Sequence, residues 1–318
     1  MADGHRVVVY YQTQYDTTLA PNSPFGHFVS PLPLIGLITH LILAAFHINI
    51  KPSPIPLALN DFAPDHPQFN QMWEDIAEMR SKGVKIIGML GGTAPGTYDG
   101  LVPGDTFDTY YPILRDSIRK HRLHGIDLDV EQSVPLENIQ FLINRFRSDF
   151  GHDFIITLSP VASALTEGYN LSGFDYIELE RTMGTQIAWY NAQFYSGFGS
   201  IFPDQQYIDI VEFGLDPSRL VALTLTNPDL GQGYVDPDEV VQSVTALAEK
   251  YGYRFGGVAG WEYFISLPAA GRPWEWAALM KITMSSLVRL AEEADHSVTN
   301  TKRSRVWGKH VVRSKKSN

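Results

Sequence analysis

Leu123–Glu131, reading L-H-G-I-D-L-D-V-E, carries three carboxylates at a spacing of two: Asp127, Asp129 and Glu131. Side chains alternate between the faces of a β-strand, so the three acids share one face while Ile126, Leu128 and Val130 share the other. Like charges on one covered face repel and lose hydration. A chain tolerates that cost where a site needs a carboxyl group protonated near neutral pH. Two plainer readings compete: a half-exposed strand with polar residues facing water, and a calcium or magnesium site built from oxygen ligands. Against the first, the stretch lies midway along an α/β pattern whose strands are covered on both faces. Against the second, one strand makes an awkward cage, and no Asp/Asn/Gly loop of the calcium type surrounds it. Catalysis is the preferred reading.

Working outward, seven more strand-like runs flank this one: Arg6–Gln12, His40–Asn49, Val84–Gly92, Phe154–Val161, Gln186–Tyr195, Arg219–Thr226 and Phe255–Phe264. Helical stretches separate most of them, at Gln68–Lys82, Asp108–Arg122, Leu136–Phe150, Asp175–Thr182, Tyr207–Phe213 and Asp236–Tyr251, with Glu275–Glu293 closing the series. Eight strands alternating with helices predict a single (β/α)8 TIM barrel, and 318 residues suit a barrel of ~250 residues with added loops. An open doubly wound sheet is the alternative. It is disfavoured because no G-x-G-x-x-G follows the first strand, and Gly91-Gly92 ends a strand without opening a glycine-rich helix. In a barrel the C-terminal strand ends carry function, which draws attention to Asp129, Glu131, Tyr195, Trp261 and Tyr263.

Composition narrows the class. With no cysteine, disulfides, thiolate metal sites and cysteine nucleophiles are all excluded. The ten histidines show no metal-ligand spacing, and His5, His47 and His124 read as surface or structural residues. Ser297–Asn318 holds seven Lys or Arg and no acid, which leaves 18 basic against 35 acidic residues before it. An acidic body is a poor partner for nucleic acid. Residues 1–296 are therefore expected to form the catalytic barrel and 297–318 a basic, disordered tail. The longest apolar run, Leu32–Phe46, is interrupted by Thr39 and His40 and is too short to span a bilayer. The opening M-A-D-G-H-R has no signal-peptide pattern, so the chain as given reads as cytoplasmic, or as secreted if its start is that of a processed form.

The stretch G-I-D-L-D-V-E resembles the D-G-x-D-x-D-x-E signature of glycoside hydrolase family 18, with His124 where the first Asp is usual. K-I-I-G-M-L-G-G at Lys85–Gly92 is similar to the family's strand-three motif, with Met89 where Ser is frequent. N-A-Q-F-Y at Asn191–Tyr195 and G-G-V-A-G-W-E-Y at Gly256–Tyr263 resemble its strand-six and strand-eight motifs. V-Y-Y-Q-T, G-G-T-A-P-G, T-L-S-P-V-A-S-A-L, N-L-S-G-F and P-W-E-W extend the likeness over Arg6–Glu293, closest to compact fungal endo-β-N-acetylglucosaminidases.

The resemblance implies hydrolysis of N-glycans at the N,N′-diacetylchitobiose core, with no metal or cofactor and no membrane, by a monomer. It implies Glu131 as acid, Asp129 as the group orienting a substrate acetamide, Asp127 as its proton-sharing neighbour and Tyr195 as a donor to the acetamide oxygen. Trp261 would be the sugar floor, with Asn191 and Tyr263 as further lining residues; Tyr11, Phe46 and Gln193 either line the same pocket or pack within the barrel. Most other aromatics read as core, Trp189, Trp274 and Trp276 among them. A chitinase and a catalytically silent sugar-binding lectin of the same fold are the rival readings. Asn170-Leu171-Ser172 is a glycosylation acceptor only in a secreted chain.

Overall fold

The computed structural model describes residues 5–18, 25–50 and 53–285. The predicted tail and the last part of the Glu275–Glu293 helix lie outside them. Eight parallel strands run β1 Arg6–Tyr11, β2 His40–Ile48, β3 Lys85–Gly91, β4 Gly125–Asp129, β5 Ile155–Leu158, β6 Trp189–Gln193, β7 Leu220–Leu225 and β8 Gly257–Trp261. Each pairs with its sequence neighbour. β1 also pairs with β8, Val8 against Ala259, so the sheet closes on itself. Closure rules out the open doubly wound sheet. The expected (β/α)8 barrel is the fold.

Helices α1 Asn70–Ser81, α2 Asp105–His121, α3 Leu136–Phe150, α4 Tyr176–Met183, α5 Gln205–Phe213 and α6 Pro237–Tyr251 follow β2 to β7. A seventh, α7, begins at 274 and is described to 285. Local chemistry sets several starts. The Asp175 side chain accepts from the N–H groups of Ile177 and Glu178, and Asp236 caps α6 in the same way with Pro237 in the first turn. Among the described residues, the β1–β2 crossover carries a short hairpin, Tyr15–Asp16 with His27–Phe28, and a 3-10 turn at Leu32–Leu34. An extra strand, Leu57–Leu59, lies antiparallel along the top of β2.

Alternation divides the core in two. Val7, Val9, Ile126, Leu128, Tyr190 and Ala192 face outward to the helices, while Val8, Tyr10, Ile87, Met89, Trp189, Val221, Leu223 and Ala259 fill the barrel. Trp189 closes the bottom, with the Arg6 guanidinium 4.5 Å from its ring centroid and His40 edge-on to it. At the top, Asp127 and Asp129 replace the inward apolar residues. The charge thus lies at the C-terminal mouth, where this architecture places its sites.

One register shift matters. Between Leu43 and Phe46, β2 carries an extra residue relative to β3. Strict alternation from Ile42 would aim Phe46 inward; the bulge puts Ala44 and Ala45 inward and turns Phe46 into the outer layer.

Candidate active site

Asp127 is fully buried at the base of the site, where four donors hold its two oxygens. Tyr10 Oη (2.9 Å) and Ser159 Oγ donate to Oδ2, while Thr157 Oγ1 (2.5 Å) and Asn191 Nδ2 (3.1 Å) donate to Oδ1. Burial pushes its pKa up, and the four hydrogen bonds oppose that rise. Asp129 stands one step higher. Burial, then the Glu131 and Asp127 charges, drive its pKa well above the carboxylate range, with Gln193 the opposing hydrogen bond. Glu131 lies just past the end of β4 and is half-buried, and its pKa is likewise raised by burial.

Gln193 ties the upper acids together. Its Nε2 donates to Asp129 Oδ1 (3.1 Å), Ser159 O (2.9 Å) and Glu131 Oε1 (3.4 Å). Beyond Glu131 the chain turns sharply, and Ser172 fixes that turn by donating to the Val130 carbonyl at 2.6 Å. Gln132 fixes the other side, accepting from the N–H groups of Gly96 and Tyr98 and donating to Asp99. Gly91 brings β3 against β4: at φ +101°, a Cβ there would lie 2.2 Å from the Asp129 carbonyl oxygen.

Above these residues lies a cavity of about 270 Å³, lined by Asp129, Glu131, Tyr195, Trp261, Met89 and His47 among others. That is just under the ~300–1,000 Å³ of pockets for drug-sized ligands, and suits a single ring. Trp261 packs on Tyr10 with centroids 5.4 Å apart. Burial and the three acids push the Tyr195 hydroxyl well above its usual pKa, so it remains a proton donor. A second cavity of about 590 Å³ opens beside the first and shares Gln12, His47 and Ala94 with it. Among the described residues no group of three or more His, Cys, Asp or Glu could hold a metal, and no helix is long and apolar enough to cross a membrane.

The closed barrel is shared with solved structures. A fungal endo-β-N-acetylglucosaminidase from glycosyl hydrolase family 18 is 44% identical, covers 87% of this chain and 97% of its own, and superposes with a TM-score of 0.81. The chain belongs to glycoside hydrolase family 18. A chitinase of Aspergillus fumigatus is 45% identical over 88% of this chain and 99% of its own, with a TM-score of 0.76. Chitinase 2 of Rhizopus oligosporus is 28% identical over 209 residues, 59% of this chain but only 35% of the relative's length. A family 18 chitinase of Pseudoalteromonas aurantia, 20% identical with a TM-score of 0.70, shares the fold. No protein-family model matches the chain.

Within this family 18 barrel, Asp129, Glu131, Tyr195 and Trp261 line one cavity, with Asp127 below it; Gln193, expected as a lining residue, is instead buried against Asp129 and Glu131. Asn191 lies beneath them, fully buried, with its Oδ1 accepting from Trp189 Nε1; it supports Asp127 and does not line the cavity. Three more expected lining residues, Tyr11, Phe46 and Tyr263, do not reach the cleft. Tyr11 is outward on β1, its hydroxyl donating to Val29 O, because the inward positions are Val8 and Tyr10. Phe46 is turned out by the bulge, and its neighbours Ala45 and His47 line the cavity instead. Tyr263 follows β8 in a 3-10 turn, packs edge-on to Tyr11 and donates to Ser30 O.

His47 is therefore a cleft residue, not a surface one; burial lowers its pKa, and its Nδ1 lies 3.2 Å from Thr97 Oγ1. His124, at the departure from the family signature, accepts from the Ile86 N–H at the far end of β4, remote from Asp127's four donors. Trp276 is core, and Trp274 lines a separate cavity of about 520 Å³. The Asn170 side chain is engaged with Ser172 N–H and Phe174 O, and Ser172 is buried, so that acceptor motif is closed in the fold.

Tyr10 is the supporting residue that alternation with Val8 makes findable. Tyr10→Phe removes one donor from a buried carboxylate and should cost about 1–3 kcal/mol of stability. Urea unfolding of the variant checks this; an unchanged midpoint would mean that Ser159, Thr157 and Asn191 satisfy Asp127 without it.

Proposed function

We propose that the chain is an endo-β-N-acetylglucosaminidase that hydrolyses the β-1,4 bond of the N,N′-diacetylchitobiose core of N-glycans with retention. The observation carrying this reading is the pair of cavities. Glu131 lines only the smaller one. A general acid faces the leaving-group oxygen; in this reading the wider cavity is the glycone side, where a branched mannose-bearing chain has to fit. The 44% identity to a fungal endo-β-N-acetylglucosaminidase supports it as well.

In this reading the sugar at the scissile bond rests on Trp261, and its own 2-acetamido oxygen attacks C1 in place of a protein nucleophile. Glu131, whose pKa burial raises, gives its proton to the departing oxygen and afterwards takes one from water. Asp129 accepts from the acetamide N–H and balances the oxazolinium charge. Tyr195 donates to the acetamide oxygen; Gln193 holds the two acids in register. Asp127, held from below by its four donors, shares a proton with Asp129. An internal nucleophile needs no further translational entropy.

Chitin hydrolysis is the second reading, favoured by the 45% identity to the Aspergillus fumigatus chitinase. A high-mannose glycoprotein and chitin hexaose treated in parallel separate the two. Mass analysis should find a single N-acetylglucosamine left on asparagine, with the hexaose cut slowly or not at all. Fast hexaose cleavage with an untouched glycoprotein would assign a chitinase, and binding of both without cleavage a lectin.

A further inference from the structure

Glu262 follows the sugar floor, Trp261, and is buried to 4% exposure. Its carboxylate is held by three neutral donors, none a cation. Oε2 accepts from the backbone N–H groups of Gln12 and Thr13, each at 2.8 Å, and Oε1 accepts from Thr13 Oγ1 at 2.6 Å. Its own carbonyl accepts from Thr226 Oγ1 (2.7 Å) and Ser266 Oγ (2.9 Å). One residue thus joins the top of β8 to the segments following β1 and β7.

Burying a carboxylate without a cation is expensive, and the donors must be well placed to offset it. What the arrangement secures is the backbone at Gln12. Glu262 takes its N–H, and Asn60 Nδ2 donates to its C=O at 3.0 Å. Asn60 is itself anchored on β2, its Oδ1 accepting from Ala45 N–H. With both backbone groups engaged, the Gln12 side chain is what remains for the cleft, and it lines both cavities at their junction. Thr13 lines the wider one.

We infer that Glu262 is a positioning residue for the glycone: through Gln12 and Thr13 it fixes the wall against which sugars beyond the scissile one lie. This rests on the wider cavity being the glycone side. It acts on binding of the extended chain more than on bond breaking, which belongs to the groups on β4 and β6.

The test is Glu262→Gln, close to isosteric but neutral: the amide oxygen can still accept from the two N–H groups and its NH2 can donate to Thr13 Oγ1, so all three bonds lose their charge assistance. KM and kcat are measured separately on 4-methylumbelliferyl glycosides of two and three N-acetylglucosamine units and on a high-mannose glycopeptide. KM for the longer donors should rise about tenfold, the worth of one charged hydrogen bond, while kcat moves far less. In a double-mutant cycle, adding Glu262→Gln to Gln12→Ala should change KM by under about twofold, because the two act through one contact. Thr13→Val, which removes only the hydroxyl bond, should shift KM in the same direction and serves where Glu262→Gln fails to fold. Equal loss in kcat on every donor, or effects that multiply in the cycle, would overturn the inference. The split is read on whichever series the wild type cleaves, so failure of the N-glycan reading leaves it intact. If neither is cleaved, chitin-oligomer binding followed by tryptophan fluorescence replaces KM.

Discussion

Glu131→Gln should lower hydrolysis by about 10²–10⁴, the usual worth of a general acid, while the melting temperature stays close to wild type. The replacement keeps the shape of the side chain and an oxygen able to accept from Gln193 Nε2, 3.4 Å away in the wild type. It removes only the transferable proton. The side chain is partly buried and lies beyond the last paired residue of β4, so the isosteric amide leaves the strand pairing untouched. A specific consequence follows for substrate with a good leaving group: an aglycone that departs without protonation should recover much of the lost rate. Activity above a tenth of wild type on a natural glycan, in a folded variant, would remove Glu131 from the role. A drop in melting temperature matching the loss of activity would make the residue structural.

How far the sequence could be read depends on how local each signal is. The placement of Asp127 and Asp129 inside the barrel, with Ile126 and Leu128 outside, follows from a period of two and needs no tertiary information. Leu136–Phe150 was legible to the residue because its apolar stripe is long and Gly151 ends it. Tyr11 was within reach of the same rule, since Val8 and Tyr10 share the inward face; family likeness drew attention to the wrong one of two adjacent tyrosines. Phe46 and His47 were not within reach. Their exchange depends on one extra residue between Leu43 and Phe46, and nothing in A-A-F-H marks a bulge. Glu262 was beyond any local pattern, because its partners lie about 250 positions away at the other end of the chain. Buried polar contacts of that separation exist only once the barrel has closed.

Asp129→Asn should abolish most glycan hydrolysis and at the same time stabilise the protein, and the two effects share a cause. Asp129 is buried against Glu131 and Asp127, and its pKa lies well above the unfolded value for that reason. The native state therefore binds more protons than the unfolded chain between the two pKa values. Stability falls as pH rises through that interval and stays lowered above it. An amide cannot ionise, so the variant should lose that slope. Its melting temperature should exceed wild type at neutral pH and converge with it in acid. Catalytically, the amide no longer balances a developing oxazolinium charge, so forming that intermediate from a glycan becomes slow. A preformed glycan oxazoline bypasses the step, and the variant should still transfer it to an N-acetylglucosamine acceptor. Parallel assays on intact glycoprotein and on the oxazoline donor, with melting curves taken across pH, read both consequences. Equal loss on the two donors would show that Asp129 serves binding rather than charge. A variant less stable than wild type at neutral pH would show that the Gln193 contact outweighs the repulsion among the three acids.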